Sequence, residues 1–169
     1  LISESFKNWR GMSEAQGRRI KRSIYIDINT INRCTPEMIE RFSKIRSLRD
    51  YIERKRLDLA QWNEKHSTEI SYPINTRNLT NVGTFRAYIE AYLKSHPQIN
   101  QDMTLLVRQL DPLEKGLPIQ IYCFSKEKEW GIYENLQSDI FDHILATAPD
   151  FNLRIFQNPT GADFRAFGD

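Results

Sequence analysis

Cysteine is scarce in this sequence, with Cys34 and Cys123 alone among 169 residues. One falls in an expected loop and one in an expected strand, which reads as two free thiols in a reducing compartment rather than a disulfide scaffold. Long apolar runs are missing too: none approaches the roughly 20 residues that carry a helix across a bilayer. There is no secretory-leader pattern, and the chain opens on Leu1 rather than Met, as expected of a piece excised from a longer product. No Gly-rich phosphate loop, G-x-S-x-G turn or Cys/His constellation occurs, so nothing argues for an enzyme and no cofactor is expected. The three histidines, His66, His96 and His143, fall in separate expected elements. Asp139 and His143 share a helical face at i,i+4 spacing, yet zinc normally takes three or four ligands, so a surface ion pair is the simpler reading and no metal is expected.

What is present suits a globular domain. Hydrophobic residues make up 40% and charged residues 27%, ordinary values for a chain that buries a core without metals or disulfides. Charge is unevenly spread: residues 1–77 hold 16 Lys and Arg against 10 Asp and Glu, whereas residues 78–169 hold 8 against 12. Such a gradient marks either an end facing a membrane or nucleic acid, or simply a solvated charged helix.

The pattern predicts a strand over Arg18–Ile28, with Ile20, Ile24, Ile26 and Ile28 on one face and Arg22 interrupting it. Thr35-Pro36 opens a long amphipathic helix reaching about Lys65, with a weak point near Lys55 and Arg56 and with Glu37–Arg41, Glu40–Lys44 and Asp50–Arg54 as i,i+4 pairs. A loop over Ser67–Asn78 leads to a second helix capped by Thr80 or Asn81 and ending at His96-Pro97. Strands are expected at Met103–Leu110 and Leu117–Phe124, a helix at about Glu129–Ala146, and a last strand at Leu153–Phe156. With the charged helix (about 35–66) treated as an insertion, the order is β-α-β-β-α-β. That is an α+β, ferredoxin-like sandwich over residues 18–157, with 158–169 as a tail, both helices on one face and the other face left to water or a neighbour.

Four stretches, in order, carry a family resemblance. They are the run Phe6-Lys7-Asn8-Trp9-Arg10-Gly11-Met12 leading into Arg18–Asp27; Arg77–Tyr88; Met103–Leu110 with Gly116–Phe124; and Ser138–Leu145 through Gln157–Asp163. Together they resemble the C-terminal cytoplasmic region of MscS-type small-conductance mechanosensitive channels, nearest the YbdG-like miniconductance subgroup. The resemblance implies that residues 1–17 end a preceding β domain and that the chain belongs to a heptameric channel in the bacterial inner membrane. It would sit on the cytoplasmic side and shape a vestibule below a pore that opens under tension to release ions and osmolytes. Contact with lipid would be through a transmembrane part lying outside this chain. Arg18, Arg19, Lys21 and Arg22 are candidate vestibule or membrane-proximal residues that bias local ion concentration, with solvated strand charge as the plain alternative.

Two other classes remain in view. Ferredoxin-like sheets bind RNA on exposed aromatics, and Tyr25, Tyr122 and Phe124 fall in expected strands; the Gly-aromatic signature of such domains is missing, and no nucleic acid is expected. A small-molecule sensor is the other, with an anion held at the helix start Thr80–Thr84 between Arg77 and Arg86; ordinary capping is the simpler account.

Overall fold

The computed structural model describes residues 17–66 and 71–165. A three-stranded antiparallel sheet in the order β1–β3–β2 forms its centre, from β1 (Arg18–Ile26), β2 (Leu106–Gln109) and β3 (Leu117–Ser125). β1 runs against the whole of β3, from Arg18 opposite Ser125 to Ile26 opposite Leu117. β2 covers only the middle of β3, from Leu106 opposite Tyr122 to Gln109 opposite Ile119. The helices are α1 (Pro36–Ser43), α2 (Arg49–His66), α3 (Asn81–Lys94), α4 (Trp130–Thr147) and the short α5 (Gly161–Arg165). The fold is therefore α+β.

Alternation builds the core. Ile20, Ile24 and Ile26 of β1 lie on the same face as Cys123, Ile119 and Leu117 of β3, and all six are buried. α3 adds Val82, Phe85, Ile89 and Leu93, and α4 adds Leu136, Ile140, Phe141 and Ile144, each at helical spacing. Phe151 sits at the centre of an aromatic cluster, its ring 5.1 Å from both Phe42 and Phe85. Caps start each packed helix: Thr80 accepts from Gly83 N–H, and the Glu129 carboxylate accepts from Gly131 N–H. Gly116 closes the turn into β3 at φ +97°, where an added Cβ would lie 2.4 Å from the Ile26 carbonyl oxygen. Only glycine fits there.

Four expectations need correction. The long helix breaks at Lys44–Leu48 and not near Lys55 and Arg56, through which α2 runs unbroken. The Ser43 hydroxyl bonds back to the carbonyls of Ile39 and Glu40, Ile45 turns extended, and Leu48 and Ile52 drop fully into the core.

The fourth strand at Leu153–Phe156 is not formed. A single bridge joins Ile155 to Ile26, with Asp27 N–H donating to Arg154 C=O and Phe156 N–H to Tyr25 C=O. Upstream, Asn152 adopts a left-handed conformation (φ 57°) and Leu153 N–H bonds to Ala148 C=O, which aims the chain across the end of β1. Pro159 then follows, without a donor for a ladder.

β1 stops at Ile26 because Asp27 caps a 3-10 turn over Ile28–Thr30, which leaves Ile28 47% exposed. The expected i,i+4 pairs on α1 and α2 are not among the close ion pairs of the described residues; those are Glu90–Lys94 at 2.8 Å and Asp27–Arg154 at 3.9 Å. The Phe6–Met12 run lies outside the described residues. Among the described residues no helix is long and apolar enough to cross a membrane.

Candidate interaction site at the first strand

Strand alternation divides the basic cluster. Arg18 and Arg22 share the face of Ile20 and Ile24, and each guanidinium lies over a ring of α4: Arg18 over Tyr133 at 4.8 Å and Arg22 over Phe141 at 4.6 Å. Arg18 also donates to Lys128 C=O at 3.4 Å. Arg22 therefore does not breach the core; its alkyl stem runs along the apolar face and its charge emerges over α4. Arg19 and Lys21 occupy the second face, opposite Phe124 and Tyr122 of β3. The structure thus brings the four cations together along one strand but splits them two and two across the sheet.

The second face also carries Tyr25, Pro118, Gln120, Leu106 and Arg108. Gln120 is 7% exposed, and its amide oxygen accepts from Arg108 Nε at 2.9 Å. Phe124 is only 6% exposed, and Tyr122 meets it edge-on at 82°. A stack of bases needs flat, accessible rings; of the three aromatics singled out in the sequence, Tyr25 and Tyr122 are half-buried and Phe124 is buried.

The remaining candidates resolve into structural roles. His143 does not pair with Asp139 as a ligand set: its Nε2 lies 2.6 Å from the Tyr88 hydroxyl, and its ring stacks on Tyr92 at 4.2 Å. His96 meets the edge of the same Tyr92 at 5.7 Å. Burial holds the His96 imidazole below the usual histidine range, with Asp139 opposing. Two histidines, one on α4 and one just past the end of α3, thus converge on one tyrosine; the four-residue spacing of Tyr88, Tyr92 and His96 was the available signal. Among the described residues no group of three His, Cys, Asp or Glu is placed to hold a metal ion. At the start of α3, Thr80 caps Gly83 N–H and the Asn81 side chain accepts from Val82 N–H, while Arg77 lies over Trp62 at 5.5 Å. Capping accounts for these groups. Cys34 and Cys123 are free and buried, and burial pushes the Cys123 thiol up to about 12.

Two clefts adjoin these elements. One of about 470 Å³ lies over Phe42, Tyr88 and Phe151 and is rimmed by Arg41 and Asn152. The other, about 610 Å³, separates Asp27 from the C-terminal segment around Pro159 and Phe164.

No family model matches the chain. Over 64 residues it is 34% identical to the low conductance mechanosensitive channel YnaI of Escherichia coli (strain K12), a match covering 38% of this chain and 19% of that protein's length. This is a distant and partial similarity to an MscS-family channel; it supports that family broadly and does not single out the YbdG-like subgroup.

Proposed function

We propose that this chain is a cytoplasmic vestibule domain of a mechanosensitive channel of the MscS type, acting in assembly and in shaping the space below the pore. The observation that carries the reading is the 64-residue similarity to a low conductance mechanosensitive channel. Two features of the fold agree with it. The β1–β3–β2 order, with α3 and α4 against one face, fits a ferredoxin-like domain whose fourth strand is reduced to the single rung at Ile155. The helical segment Pro36–His66 between β1 and α3 fits a larger member of the family, such as the YbdG-like subgroup.

In this reading the complete polypeptide forms a heptamer in the bacterial inner membrane and releases ions and small osmolytes under hypoosmotic stress. Bilayer tension moves the membrane part between closed and open states, and this domain biases that equilibrium only through contacts that differ between the two. Arg18, Arg19, Lys21 and Arg22 would set the ion atmosphere on the membrane-proximal side. Survival after osmotic downshock tests the proposal in cells lacking their own mechanosensitive channels. Expression of the complete polypeptide should rescue them, and equal death with and without it counts against the channel reading.

A further inference from the structure

We propose that the outer edge of β1 takes up an acidic, extended segment of another polypeptide as an added strand. The backbone shows which groups are on offer. Tyr25 C=O and Asp27 N–H turn outward, since they bond to Phe156 and Arg154. Strand alternation carries the same direction back to Ser23, Lys21 and Arg19. The Arg19 carbonyl confirms the phase, because it accepts from the Tyr133 hydroxyl of α4 on that side. Between these two closures the N–H and C=O of Lys21 and Ser23 have no partner among the described residues. The free window is bounded by Tyr133 at one end and Phe156 at the other, and the segment Leu153–Phe156 leaves the edge after one rung. An added strand of about five residues fills it.

Charge selects the occupant. Arg18, Arg19, Lys21 and Arg22 fall within five consecutive residues, and β1 carries no acidic side chain. None of the four is in a close ion pair among the described residues. They alternate across the sheet, so a strand laid along the window meets cations on both of its faces. A second copy pairing through the same edge would set Arg and Lys against Arg and Lys, and the edge of β2 brings Arg108. Like charges placed opposite each other disfavour both arrangements. An acidic strand satisfies the free backbone groups and the side chains together. The competing account is that the charged edge guards against strand pairing altogether, and the test separates the two.

The measurement is fluorescence anisotropy of a labelled seven-residue Val/Glu peptide with the full chain at low salt, beside a Val/Lys peptide and two Val/Glu peptides N-methylated in opposite phases. The acidic peptide should bind below about 1 mM and the basic one at least tenfold more weakly. One N-methylated phase should lose about tenfold or more while the other is retained, because only one set of peptide amides faces β1. Arg19→Ala with Lys21→Ala should weaken binding several-fold at unchanged melting temperature. Amide exchange at Lys21 and Ser23 should slow several-fold at saturation. Absence of binding overturns the proposal. Equal binding of both N-methylated phases, unchanged exchange at Lys21 and Ser23, or displacement by single-stranded RNA at the same site overturns it as well.

Discussion

Replacing Asn81 with alanine removes a side chain that ties three segments together. Asn81 is fully buried at the first turn of α3. Its oxygen accepts from Asn32 N–H and Val82 N–H, both at 2.9 Å, and its amide donates to Thr30 C=O at 2.8 Å and to Asn152 C=O at 3.4 Å. Truncation leaves Asn32 N–H and Thr30 C=O without these bonds in a part-buried layer, at about 1–3 kcal/mol for each group that water cannot reach. The Asn152 contact is long and the Val82 amide belongs to a helix start, so both add little. The expected loss is about 2–4 kcal/mol, or roughly 5–15 °C in melting temperature for a chain of this length. Urea titration by circular dichroism gives the difference directly, and Asn81→Ser, which retains a shorter polar group, should fall between. A shift below 1 °C for Asn81→Ala would refute the view that this residue holds the Ile28–Arg33 turn and the Asn152 corner against α3.

Gly116→Ala should cost about 1–3 kcal/mol by urea titration, since the left-handed backbone and the close Ile26 carbonyl leave no room for a methyl group. Cys123 should resist a thiol reagent in the native state and react only on unfolding, because burial keeps it neutral up to about pH 12. Its contribution to stability is complete below the ordinary thiol range, near 9, and is lost as pH climbs from there toward 12; Cys123→Ala should flatten that alkaline slope. The His96 imidazole is held low by burial, so its contribution is present above the usual histidine range and is lost as pH falls below it. His96→Gln should therefore reduce the acid sensitivity of the melting temperature between pH 7 and 5.

Periodicity made the packed elements legible. The isoleucines of β1, the Val82-Phe85-Ile89-Leu93 face of α3 and Leu136, Ile140 and Ile144 of α4 lie in the core, whereas Ile132 at the start of the same α4 face is exposed. Misreadings fell where tertiary burial outweighs local pattern. The long amphipathic helix is interrupted at Lys44–Leu48, where Ile45 turns extended and Leu48 packs in the core. Leu153 and Ile155 alternate like a strand, but the left-handed Asn152 corner allows a single bridge. For the basic cluster, alternation along β1 already put Arg22 on the apolar face and Arg19 and Lys21 on the other, but not what each cation meets. That Arg22 lies over Phe141, some 120 residues away along the chain, has no local signature. Nor does the free window at Lys21 and Ser23, which depends on where the C-terminal segment turns away.

Patch recording of the complete polypeptide reconstituted in liposomes tests the central claim most directly. Under graded suction the account predicts single-channel currents whose open probability rises steeply with membrane tension and which are absent from protein-free patches. Verified incorporation with no current at any tension short of patch rupture, or a current indifferent to tension, contradicts it.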